Sequence, residues 1–171
     1  MLMNDLLLGA VDWDWDVIIQ TLPYLLKASV VTVKLAVVSI FFGLIIGLFV
    51  ALMKISNVKI LNLIGSFYTW VFRGIPLLVQ LFLIYFGLSA ALGIDLDSYT
   101  AAVLGISICG GAYIAEIIRS GILSIDNGQM EAALSLGMSR SMAMRKIIIP
   151  QTYRRLIPPL GNEFINLIKD T

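Results

Sequence analysis

Residues 128–150 read GQMEAALSLGMSRSMAMRKIIIP, a polar island between two apolar stretches. Glu131, Ala132 and Ala133 stand together; Gly137 follows after three residues, then Ile147 and Pro150 after nine more. Residues 131–136 are strong helix formers, Gly137 is a natural stop just past a helix end, and Ser139 can cap a second helix. The pattern predicts a helix–glycine–helix hairpin. With Arg140, Arg145 and Lys146 in it, the hairpin belongs outside the bilayer, between two membrane segments. An ordinary cytoplasmic loop would have the same composition.

Outward from this island the chain is very apolar. Hydrophobic residues make up 59% of it and charged residues 13%. Such a composition excludes a soluble domain, and the long apolar runs predict membrane spans. A single membrane domain over residues 1–171 is expected. The absence of histidine excludes histidine-based catalysis and imidazole metal ligation. Cys109, the one cysteine, lies in an apolar run and reads as a packed small residue. The net charge of +1 says little about partners, and no nucleic-acid partner is expected. Asp5, Asp12, Asp14 and Asp16, with no Lys or Arg up to residue 20, argue against a cleavable signal peptide.

The chain then orders itself by charge. Residues 1–20 are acidic and carry Trp13 and Trp15, suited to an outer interface. The first clear span is 28–53, where Gly43 and Gly47 form a GxxxG pair that would let another helix approach closely. Lys54 and Lys59 mark its cytoplasmic end, which puts the N-terminus outside. Residues 60–93 are interrupted by Arg73-Gly74-Ile75-Pro76; Pro76 removes a donor and disfavours helix at Ile75. This predicts one helix over 61–72 and a membrane-crossing one over 76–92. Arg73 and Gln80 are polar in an apolar setting, and are read either as structural anchors or as residues of an aqueous path. Asp95 and Asp97 suit an external loop. Residues 100–124 return inward, with Glu116 three residues before Arg119 on one helix face, read first as an ion pair near the cytoplasmic end. The basic bias of Arg119, Arg140, Arg145, Lys146, Arg154 and Arg155 over Asp126 and Glu131 agrees that the island is cytoplasmic.

After Arg155 the chain re-enters the membrane, with Pro158 and Pro159 read as the start of a helix. Asn162 and Asn166 share a face, whereas Glu163 and Lys169 fall on different faces. Lys169, Asp170 and Thr171 would then lie near mid-bilayer, where charge is costly and therefore a candidate functional cluster. They could meet a zwitterion's two charges, or neutralise one another.

The spacing EAA-x3-G-x9-I-x-x-P resembles the cytoplasmic loop of the permease subunits of bacterial ATP-binding-cassette importers, with Ile149 where leucine is more usual. The strings FRGIPLLVQLFLIYFGL (72–88), AYIAEIIRSGI (112–122) and PPLGNEFINLIKDT (158–171) are similar to the polar amino-acid branch of that family. The resemblance covers residues 20–171. It implies an all-α polytopic bundle of about five membrane helices, the last of them missing after Thr171, so that the chain is expected to be truncated. It also implies a coupling loop over about 124–150, in which Glu131, Ala132, Ala133, Gly137 and Pro150 dock on a partner ATPase dimer. A path involving Lys169, Asp170, Thr171, Arg73 and Gln80 is expected. The implied partners are the bilayer, a solute-binding protein outside and a second permease subunit; the implied place is the bacterial cytoplasmic membrane. No Walker A sequence GxxxxGK[ST] occurs and no catalytic constellation is present, so the chain reads as a non-enzyme that needs no cofactor of its own, ATP being bound by the partner. An ion-gradient carrier coupled through Glu116, Lys169 and Asp170, or a non-transporting scaffold, are the other classes.

Overall fold

The computed structural model describes residues 14–171. The expectations for Trp13, Asp5 and Asp12 lie outside the described residues. Helix α1 spans Trp15–Ile55, 41 residues, and so begins well before the expected 28. The cause is local: the Asp14 carboxylate accepts the Asp16 and Val17 amides at 3.1 and 3.2 Å and caps the helix. Pro23, inside the helix, removes only one backbone donor. At ~1.5 Å per residue α1 is about twice as long as the ~30 Å of hydrocarbon requires, so part of it must extend beyond.

Helix α2 (Lys59–Gly74) and helix α3 (Leu77–Leu92) are bent by 104° at the break. Ile75 is extended at φ −103°, ψ 131°, as a residue before proline should be. The expectation that 76–92 crosses the membrane unaided is corrected: α3 alone is too short for ~30 Å of hydrocarbon at ~1.5 Å per residue, and only α2 and α3 together have the length and composition to cross. A π-helical turn, Leu83–Gly87, interrupts α3. Helix α4 (Ser98–Leu123) is capped by Asp97 and is itself long and apolar enough to cross.

The hairpin follows as α5 (Asn127–Ser135) and α6 (Arg140–Ala143). A π turn, Met144–Ile148, leads without a break into α7 (Ile149–Asp170). Pro158 and Pro159 therefore lie inside a helix rather than at its start, and Pro150 occupies the first turn. By composition α7 is not itself a candidate span, unlike α1 and α4.

Helix α4 is the centre of the bundle. Gly43 of α1 faces Ser107 and Gly111 of α4, and Gly47 faces Ile114 and Ala115. Both numbers rise together, so α1 and α4 run parallel. A chain can place two consecutive long spans parallel only by crossing back between them, which is the work of the broken α2–α3 span. Contacts between α4 and α7 run the other way: Gly110 faces Leu167 and Gly121 faces Leu156, so these helices are antiparallel. A cluster of Val50, Ala51, Ile114, Ala115 and Ile118 forms the buried core. The close α1–α4 approach expected from the GxxxG pair is observed, since a Cβ on Gly47 would come 2.6 Å from Ile114 Cγ2. Large side chains such as Phe41, Phe42 and Phe49 are left exposed, as an outward face toward lipid requires.

Candidate functional site

The break after Gly74 opens two backbone carbonyls that helix would have satisfied. Gln80, 2% exposed, closes this gap: its Nε2 donates to Phe72 O at 2.9 Å and Ile75 O at 2.7 Å. Gln80 is therefore an anchor of the break, and it does not line the cavity beside it. Its neighbour Arg73 does.

That cavity, about 550 Å³, lies between the break, α4 and α7. Arg73, Tyr113, Glu163, Asn166, Lys169 and Asp170 supply its polar wall. The sequence-predicted Arg73, Lys169 and Asp170 are thus brought together. Thr171 is not in the wall; its hydroxyl donates to Ile168 O at 3.0 Å. Glu163 was set apart from Lys169 by helix geometry, yet it joins the wall through Asn166 and Asp170, three and seven residues on, which form one stripe. That spacing was available in the sequence. The wall presents two cationic and two anionic side chains, suited to a small molecule that carries both charges.

A second cavity of about 480 Å³ adjoins it and shares Arg73, Gly74 and Tyr113. Its floor is an ionic network. Lys54 Nζ donates to Thr69 Oγ1 at 2.7 Å and is ion-paired with Glu116. Arg119 Nε donates to Glu116 Oε2 at 2.8 Å, the pair expected from their spacing. Lys54 is the partner that sequence could not supply, because 62 residues separate it from Glu116. The network ties α1, α2 and α4 together.

The hairpin forms as its residues predict. Asp126 caps α5 by accepting the Gly128 amide at 2.6 Å, and Ser139 caps α6 by accepting the Met142 amide at 3.2 Å. Between them Gly137 takes φ +82°. Its N–H donates to Leu134 O at 3.0 Å and the Met138 N–H to Ala133 O at 3.1 Å, the paired bonds of a Schellman stop. Glu131, Ala132 and Pro150 are exposed. Ala133 is not: at 1% exposure it packs within the hairpin, alongside the buried Ala143 and Ile148. A larger side chain there would part the two helices. The side chains of Leu134, Leu136 and Met142 are exposed on the same hairpin, Leu136 to 83%. The Arg155 guanidinium donates to Ser124 O and fastens the C-terminal end of α4, where the hairpin begins, to α7.

Residues 43–171 match the family described as "Binding-protein-dependent transport system inner membrane component". The chain is 42% identical over 158 residues to the arginine transport system permease protein ArtQ of Bacillus subtilis (strain 168), covering 92% of this chain and 72% of that protein. It is 38% identical over 148 residues to a putative glutamine transport system permease protein GlnP of Rickettsia felis, covering 86% and 68%. Among solved structures, an amino acid ABC transporter crystallised with histidines superposes with a TM-score of 0.87 at 46% identity, over 92% of this chain and 73% of that one. These neighbours are ATP-binding-cassette transporters and not ion-gradient carriers, which separates the two transport classes that the residues left open. The chain belongs to the family of inner-membrane components of binding-protein-dependent transport systems, as a permease subunit of an ATP-binding-cassette importer.

Proposed function

We propose that the chain carries polar amino acids inward across the cytoplasmic membrane, with its N-terminus outside. The observation that carries this reading is the cavity whose wall holds Arg73 and Lys169 together with Glu163 and Asp170. An α-carboxylate would be held by the cations and an α-ammonium by the anions, each through charge-assisted hydrogen bonds. Side chains with further polar groups would find Asn166 in the same wall. The relatives' names, which speak of arginine and glutamine transport, support the substrate class.

Energy would come from a separate ATPase dimer docked on the hairpin, with ATP bound there. Glu131, Ala132 and Pro150 would meet the ATPase together with exposed Leu134, Leu136 and Met142, while Gly137 and Ala133 hold the hairpin's shape. A solute-binding protein would deliver cargo from outside, and a second permease subunit would complete the path. Closure of the ATPase dimer would move the hairpin and, through α7, the cavity stripe, giving alternating access.

The test is uptake by the complete transporter in liposomes, with ATP on the hairpin side. Uptake of polar amino acids that requires both ATP and the binding protein is expected. Uptake that ignores ATP but collapses with an ionophore would overturn the reading. Lys169→Met should lower uptake while the ATPase stays bound.

A further inference from the structure

Arg73 is placed unlike any other charge in the bundle. It lines both cavities, and so do Gly74 and Tyr113, so these residues form the partition between them. Its guanidinium lies over the Tyr113 ring, 5.1 Å from the centroid. Among the described residues Arg73 makes no hydrogen bond or ion pair; the two ion pairs of the network below use Lys54 and Arg119. A cation in such a setting is normally paired; Arg73 has instead the Tyr113 ring and the charge of Glu163 across the cavity, neither of which fixes its geometry as a hydrogen bond would.

The surroundings say which part can move. Gln80 binds the carbonyls of Phe72 and Ile75, on either side of Arg73, so the backbone here is pinned. The position a Cβ on Gly74 would take has nothing within 4 Å. With the backbone pinned, an opening at this point has to come from the Arg73 side chain. Along α4 the residues Gly110, Tyr113 and Glu116 descend one face at three-residue steps, from the first cavity through the partition to the ionic floor of the second. The partition therefore lies across the line joining the cavities, on the side toward the hairpin.

We propose that Arg73 laid on the Tyr113 ring is the gate between the two cavities, closing the cargo chamber toward the cytoplasm and opening by rotation of the arginine side chain. The gate rests on the import reading above. It requires the aromatic face of residue 113 and not its hydroxyl, and it requires a cation at 73.

The experiment uses the complete transporter in liposomes preloaded with labelled amino acid, and follows efflux without ATP beside ATP-driven uptake. Arg73→Ala and Tyr113→Leu are expected to raise efflux tenfold or more over the wild type, with Tyr113→Phe within twofold of it. Arg73→Lys should leak less than Arg73→Ala. Assembly with the ATPase is checked by size exclusion; if Arg73→Ala fails to assemble, Arg73→Gln takes its place. Vesicles of Arg73→Ala and Tyr113→Leu as tight as the wild type would overturn the gate, as would Tyr113→Phe leaking like Tyr113→Leu. Wild-type vesicles that show no ATP-driven amino-acid uptake would instead count against the import reading, whatever the efflux comparison shows.

Discussion

Replacing Gly47 with alanine sets a methyl carbon 2.6 Å from Ile114 Cγ2, 2.8 Å from Ile114 Cβ and 3.1 Å from the Ala115 amide nitrogen. The last of these is backbone and cannot rotate away, so α1 and α4 must separate. Overpacking of this kind costs about 1–3 kcal/mol. Alanine also gains about 0.8–1.0 kcal/mol of helix propensity over glycine, leaving a net effect between neutral and about 2 kcal/mol destabilising. Gly43, one turn earlier, is the internal control: its added carbon would meet atoms only at 3.4–3.5 Å, an ordinary contact. Gly43→Ala should therefore keep most of the propensity gain and stabilise by up to about 1 kcal/mol. The difference between the two variants, about 1–3 kcal/mol, isolates the steric term, because the chemical change is identical. Denaturant unfolding of the permease in detergent micelles, followed by far-ultraviolet circular dichroism, measures it. Gly47→Ala found as stable as Gly43→Ala would refute the close crossing of α1 and α4.

Three further predictions concern separate elements. Lys54→Met leaves Glu116 with Arg119 alone and removes the tie to α2; a loss of roughly 1–3 kcal/mol is expected, and a double-mutant cycle with Glu116→Gln should show strong coupling. At Gly137, with φ +82° and open space around it, the penalty is conformational. Gly137→Val should therefore weaken ATPase retention in a pull-down more than Gly137→Asn, and Gly137→Asp should weaken it while membrane insertion persists. Equal retention by all of them would exclude the turn from docking. Asp97 is held below the ordinary carboxylate range, first by the Thr100 hydroxyl and then by the Thr100 amide. Its folded pKa is depressed, so its stabilising contribution is present at neutral pH and is lost as pH falls through that lowered value. Asp97→Asn should flatten this acid limb of an unfolding-versus-pH profile, and an unchanged limb would remove Asp97 as its source.

What was legible in the sequence was local. Gly137, Ser139 and Pro76 each act within a few residues, and each ended, capped or broke a helix where expected. The same is true of the Glu116–Arg119 pair at three-residue spacing. Asp14 shows the limit of composition: in an acidic, aromatic segment it read as interface, but one carboxylate on two amides starts α1 there. Long-range partners were beyond reach. Nothing near Lys54 announces Glu116, and nothing near Gln80 announces that its amide will close the gap left by Pro76. Tyr113 looked like part of an apolar helix until the fold set Arg73 against it. Glu163 is different: it lies on a face apart from Lys169 but seven residues before Asp170 and on the same face as that residue, a spacing plain in the sequence.

The π turn Met144–Ile148 fixes an angular phase. Upstream of it lies α6 with exposed Met142, and downstream the stripe Glu163–Asn166–Asp170, both on one unbroken helical run. A π turn accommodates one residue more than an α turn, and each α-helical residue advances the screw by about 100°. The turn therefore takes up one residue while holding the helix on either side close to the phase that an α-helix one residue shorter would have. Deleting one residue within 144–148 would let the turn relax to α geometry with that phase nearly kept, whereas deleting one residue between 149 and 162, where no wide turn takes up the change, would swing the stripe about 100° around the axis. The first deletion would be close to silent; the second would leave the stripe out of line with the hairpin below it.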